Sequence, residues 1–166
     1  NMEHIVVSGA ALKKDLIRVG IKNVPNVPGV CATIFTRIAS ANIVVDDIIQ
    51  TINDDQTADV SFTVEHGDLQ DIQPVVEGLL KEIGDRKTAA RFDADLVKVS
   101  VVGVGMRSHT GVAQRMFQAL AGAKINIENI TTSEIKISCI IRKEDGAHAL
   151  RLVHDAFELG GASGKP

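Results

Sequence analysis

Gly29–Ile48 reads GVCATIFTRIASANIVVDDI, and Gly111–Ile130 reads GVAQRMFQALAGAKINIENI. Aligned on their first glycines, the stretches share Gly29/Gly111, Val30/Val112, Phe35/Phe117, Ala39/Ala121, Ala41/Ala123, Ile43/Ile125 and Ile48/Ile130. Ile34/Met116, Ile38/Leu120 and Asp46/Glu128 are chemically alike. The spacing of the copies is too long for a solenoid unit, so it marks two copies of one small domain. Inside each stretch the period changes. Val30, Ile34, Ile38 and Ala41 recur at helical steps, and Ile43, Val45 and Ile48 return to extended spacing.

Reading outward from the first stretch, Ile17, Val19 and Ile21 alternate as in a strand, and Val27-Pro28-Gly29 breaks it. Asn53-Asp54-Asp55 is a turn signal, and Val60, Phe62 and Val64 alternate with polar residues as a half-buried strand. Ile72, Val75, Val76, Leu79, Leu80 and Ile83 form a second helical stripe. Asp71 is expected to cap this helix, so that Pro74 falls in its first turn, and Gly84 suits its end. Thr88–Asp93 reads as a short last strand. The order is βαββαβ, the ferredoxin-like arrangement.

The second copy repeats this order. Val97, Val99 and Val101 alternate, 111–123 is helical, 125–130 is extended, Ile135, Ile137, Cys139 and Ile141 alternate, and Ala147, Leu150, Val153 and Phe157 share a helix face. It lacks a sixth element, while Ile5-Val6-Val7-Ser8 stands before the first copy without a role. The sequence therefore predicts an α+β chain of two ferredoxin-like modules, residues 17–93 and 96–159, the first inserted in the second. An N-terminal strand at 3–9 would complete the second sheet; the other reading of that segment is a frayed arm. Gly/Ser-rich residues 160–166 read as a flexible tail.

Composition removes several function classes. Among 166 residues, 18 Lys and Arg face 21 Asp and Glu, a net charge of −3, which argues against nucleic acid held by phosphate neutralisation. Aromatics are 3%, with no Trp or Tyr, so platforms for stacking bases are scarce. No apolar run approaches the roughly 18 residues of a membrane span, and no membrane partner is expected. The N-terminus lacks a basic stretch followed by an apolar one, leaving the cytoplasm as the default compartment. Cys31 and Cys139 sit in apolar patterns and read as buried free thiols.

No catalytic constellation emerges. His4, His66, His109, His148 and His154 have no metal-ligand spacing, and His109 reads as a loop residue. The glycine-rich stretch 103–111 lacks the Gly-Lys-Ser/Thr ending of a phosphate loop, and Ser108 stands where a dinucleotide fingerprint has its third Gly. No metal and no cofactor is implied. What remains is a ligand site made mostly of backbone. The first N–H groups of a helix, with the dipole behind them, attract an anion. Gly29 and Gly111 would let a carboxylate approach closely, and an α-ammonium could be received by strand carbonyls at Asn126-Ile127 or Asn42-Ile43. The other reading of both glycines is an ordinary turn.

The chain resembles the C-terminal regulatory region, or β subunit, of aspartokinases, built from two ACT modules. The residues that carry the resemblance are Asn26-Val27-Pro28-Gly29, Ala41-Asn42-Ile43 through Gln50, and 58–64 in the first copy. In the second they are 98–111, with its Met-Arg-Ser-His-x-Gly string, Ile125-Asn126-Ile127-Glu128, and Thr132-Ser133-Glu134-Ile135-Lys136-Ile137-Ser138. Together they extend over nearly the whole chain. The family usually has Asp at 26 and Pro at 110; this chain has Asn26 and Thr110. The family's N-terminal kinase motif has no counterpart here.

The resemblance implies a non-catalytic, amino-acid-binding domain that feedback-inhibits aspartate phosphorylation when threonine, lysine or both bind at ACT interfaces. It implies a homodimer through the ACT modules and a kinase catalytic domain or α subunit as partner. One effector site would use Asn26, Pro28, Gly29, Val30, Cys31 and Gln50, with Asn126 and Ile127 from the facing module. The related site would use Met106, Ser108, His109, Gly111 and Val112, with Asn42 and Ile43 opposite; Ser133 and Glu134 are further candidates. The other readings are the small subunit of another amino-acid pathway enzyme, such as acetolactate synthase, a glycine-responsive regulator, and a purely structural dimerisation module.

Overall fold

The computed structural model describes residues 7–103 and 109–159. Along the chain run β1 (Gly9–Pro25), α1 (Val30–Ser40), β2 (Asp46–Ile52), β3 (Thr57–Glu65), α2 (Leu69–Ile83), β4 (Ala89–Val102), α3 (His109–Gly122), β5 (Asn129–Thr132), β6 (Lys136–Arg142) and α4 (Gly146–Ala156). They divide into two compact units, Asp15–Ala94 and the described residues of 1–14 with 95–166, here the first and second modules.

In the first module the strand order is β2-β3-β1-β4. β1 runs antiparallel to β3, with Ile17 opposite Val64, Val19 opposite Phe62 and Ile21 opposite Val60. Side chains alternate between the faces of a strand, so these six residues share one face and are buried there with Ile34 and Ile38 of α1 and Ile72, Val76 and Leu79 of α2. Phe35 meets Phe62 edge-on, ring centres 5.8 Å apart. Arg37 of α1 clasps Glu82 of α2 through two bonds of 3.0 and 2.6 Å. That pair is solvent-exposed, so apolar burial carries the packing.

The second module repeats the plan with order β1-β4-β6-β5. Val97, Val99 and Val101 lie opposite Ile141, Cys139 and Ile137, and Val112, Met116, Leu120, Ala149 and Val153 close the core over them. Val7, Ala10 and Leu12 pack against this core. The Ser8 N–H donates to the Val102 carbonyl at 2.7 Å. The N-terminal stretch thus belongs to the second module, but its strand begins at Gly9, and residues 3–6 lie outside those described.

Five local readings change. The segment before Ile17 and the strand at Ile17 are one strand of 17 residues, and 88–93 joins 97–101 in one of 14. Asp15 and Asp95 explain why: both have positive φ (60° and 64°), which interrupts strict alternation without ending the strand. α2 starts at Leu69 with Asp68 as its N-cap, not Asp71, so Pro74 lies beyond the first turn. Pro74 and Gln70 are both exposed, so water can serve the Gln70 carbonyl that loses its helical donor. α3 begins at His109, which is helical and not in a loop. Cys139 is buried, its thiol pushed up to about 12 by desolvation, but Cys31 is exposed because it lies off the Ile34–Ile38 stripe.

Backbone geometry at two helix ends gives a test. A Cβ at Gly84 would stand 2.7 Å from the Leu80 carbonyl oxygen and 2.9 Å from Thr88 Cβ. Lys124 holds φ 62° just past α3, a conformation that favours glycine. Gly84→Ala is expected to cost about 1–3 kcal/mol, and Lys124→Gly to raise stability by up to about 1 kcal/mol. Urea midpoints of the two variants check both signs.

Candidate ligand site

The first module has a concavity of about 360 Å³ where β1 gives way to α1. It is lined by Val24, Pro25, Asn26, Val27, Pro28, Gly29, Val30, Cys31, Ala32, Gln50 and Ala58. Two prolines limit the backbone freedom of the loop, and the Asn26 N–H is fastened to the Gln56 carbonyl at 3.1 Å. Gly29 is the N-cap of α1, with φ 95° and ψ −15°. An L side chain is strained at this φ, although the space beside Gly29 is open.

α1 starts without a side-chain cap and without an acidic residue in its first turn. The Val30 N–H reaches the Val27 carbonyl at 3.3 Å and the Thr33 N–H reaches that of Gly29 at 2.9 Å. Cys31 and Ala32 fall between them, in the turn whose donors have no carbonyl within the helix. Both line the concavity. It therefore joins the positive end of a helix dipole to an uncharged wall of mixed polar and apolar groups, which suits a small anionic group on a partly apolar molecule. From β2, Gln50 adds a carboxamide whose Oε1 accepts from the Cys31 thiol at 2.9 Å.

A polar cluster beneath the loop fixes its position. Pairing of β1 with β3 shifts register between Ile21 and Val24. Asn23 occupies that irregularity with φ 61°, and its N–H donates to Asp59 Oδ1 at 2.9 Å. Asn53 Nδ2 donates to the same oxygen at 3.0 Å, Lys22 stands 3.8 Å from the other, and Thr88 Oγ1 donates to the Asn23 carbonyl at 2.8 Å. Burial pushes the Asp59 carboxyl up, but these hydrogen bonds and Lys22 outweigh it and hold the pKa below its ordinary value.

The structure brings together Asn26, Pro28, Gly29, Val30, Cys31 and Gln50. The five other lining residues escaped the sequence reading. Val27, exposed to 56%, was the available signal, an apolar residue left between prolines. The remaining candidates do not line this concavity. Met106 and Ser108 lie outside the described residues, and of His109 only its place at the start of α3 is described. Gly111 is the third residue of α3, not its cap, so the two copies differ here. The side chains of Val112 and Ile43 are buried in the two cores, so only their main-chain groups are left for a ligand. Asn42, Asn126, Ser133 and Glu134 are exposed, and Ile127 is half-buried. Among the described residues, no three His, Cys, Asp or Glu side chains are placed to hold a metal, and no helix is long and apolar enough to cross a membrane.

ACT-domain family patterns match residues 17–84 and 99–157. The regulatory subunit of aspartate kinase from Thermus thermophilus, solved free of ligand, is 41% identical, with a TM-score of 0.84 over 92% of this chain and 99% of that one. The chain belongs to the tandem-ACT regulatory regions of aspartate kinases. A structure of aspartokinase α and β subunits agrees at 42% identity and a TM-score of 0.83, covering 92% of this chain and 99% of the matched one. The aspartate kinase Ask_LysC of Stutzerimonas stutzeri is 44% identical over 99% of this chain. The chain spans 39% of that relative's length. The concavity lies within the first ACT domain of this regulatory region.

Asp59 makes the support of that ACT domain testable. Its lowered pKa means that its contribution is complete above the unfolded value and is lost as pH falls through the folded one. Asp59→Asn is expected to lower stability at neutral pH and to flatten the decline on acidification. Urea midpoints between pH 7 and 3 measure this; an unchanged acid slope contradicts it.

Proposed function

We propose that this chain is the effector-sensing region of an aspartate kinase, binding end-product threonine, lysine or both and so restraining aspartate phosphorylation by a separate kinase domain or α subunit. The observation that carries the reading is the concavity at the start of α1, with a helix start that no side chain caps, Gly29 and an uncharged lining. The α-carboxylate meets the N–H groups of Cys31 and Ala32, and the side chain meets Val27, Val30 and Gln50. Threonine suits this wall better than lysine, because no lining side chain of this module is charged and a lysine ammonium has no carboxylate there to pair with. Carbonyls at Asn126 and Ile127 of a second copy would receive the α-ammonium. Met106, Ser108, His109 and Gly111 would belong to the corresponding second site. No cofactor or metal enters this function, and the compartment is the cytoplasm.

Self-association draws support from the sheet edges. In the first module β2 ends the strand order, and Ile48 and Ile52 on it are exposed to 53% and 54%. In the second, β5 ends the order with Ile130 exposed to 47%. Exposed apolar edge strands invite pairing with another chain. An effector shared between two copies favours the docked arrangement, and that differential affinity is what regulation requires.

Calorimetric titration with threonine, lysine, methionine and isoleucine tests the reading, together with sedimentation in the presence and absence of each. Saturable threonine binding with a tightened dimer is expected. Heats no larger than dilution for all four, with an unchanged sedimentation coefficient, contradict it. Gly29→Val, which crowds the mouth and strains the backbone, is expected to abolish binding at this site and to cost about 1–3 kcal/mol of stability.

A further inference from the structure

Gln50 comes from β2 and Cys31 from the first turn of α1, and they meet at the wall of the concavity. The thiol donates to Gln50 Oε1 at 2.9 Å. A carboxamide rotates about a broad, roughly two-fold torsion, so an untethered Gln50 can present either its oxygen or its amino group to a ligand. The thiol has a proton to give and is a poor acceptor, so it engages the oxygen. That leaves Nε2 as the outward hydrogen-bonding end, and among the described residues no protein group accepts from it.

We propose that Cys31 is a positioning residue for effector recognition: its thiol fixes the Gln50 carboxamide so that the concavity offers an N–H donor to a ligand's side-chain hydroxyl. The proposal rests on the amino-acid-binding reading above and adds the residue that sets its selectivity. A hydroxyl has lone pairs for that N–H. An alkyl side chain of the same size leaves it unanswered, and an ammonium, which has only donors, opposes it. Cys31 therefore acts through Gln50, and removing its proton should be felt by ligands that carry the hydroxyl.

The test compares threonine with 2-aminobutyrate, the same carbon skeleton without the hydroxyl, by calorimetry on the full chain. Cys31→Ala, which keeps the main-chain N–H, is expected to weaken threonine binding about three- to tenfold more than it weakens 2-aminobutyrate binding. Cys31→Ser, which keeps a donor, should restore the preference. In a Gln50→Ala background, Cys31→Ala should add nothing. Circular dichroism and thermal melting of each variant establish that it is folded. Equal losses for both ligands, failure of serine to rescue, or a full additional loss in the Gln50→Ala background overturns the proposal. A wild-type chain that binds threonine, with a Cys31→Ala variant of unchanged preference, overturns this inference and leaves the proposed function standing. A wild-type chain that binds no amino acid overturns both.

Discussion

The Asp59 carboxylate accepts from the Asn23 N–H at 2.9 Å and so ties an irregular residue of β1 to the regular strand beside it. An extended strand would carry Val24 and Pro25 straight on. With Asn23 at φ 61° the register shifts, and Val24 and Pro25 pair instead with Ala58 and Thr57. The loop from Asn26 to Gly29 follows this shifted pairing, and the first turn of α1 lines the concavity with Val30, Cys31 and Ala32. A carboxylate held by main-chain and side-chain donors remains ionised through neutral pH. The cluster is thus set as a whole, and the loop above it inherits that order.

The core was legible in the sequence because burial imposes period. Ile17, Val19 and Ile21 must alternate to share a face, and Val30, Ile34 and Ile38 must recur at helical steps to reach the same core. Periodicity gives no account of what happens where the backbone leaves the regular regions. Asp15 and Asp95 interrupt the alternation of two long strands, so each strand read as two pieces. Pro74 signalled a helix start, yet sits beyond the first turn on a solvent-facing side where losing one donor is tolerable. Cys31 looked like core from its neighbours, but helical phase turns it away from Ile34 and Ile38.

The site was legible in part for the same reason. Pro28-Gly29 before a helical stripe locates a helix start, and a helix start has spare donors whatever its sequence. Sequence likeness between the copies does not extend to the placement of these glycines. Gly29 and Gly111 align in sequence, but α1 begins after its glycine and α3 begins before. Duplicated modules conserve packing positions because a core tolerates few volumes. Their loops carry no such restraint and can diverge into different sites.

The burial of Cys139 has a practical consequence. A thiol held near 12 and shielded by the second core does not react with alkylating reagents in the native protein, whereas Cys31 is open to water. A colorimetric thiol count therefore changes from one to two as the second module opens. The chain needs no engineered label to follow that opening, and a dye attached at Cys31 stands at the mouth of the concavity itself.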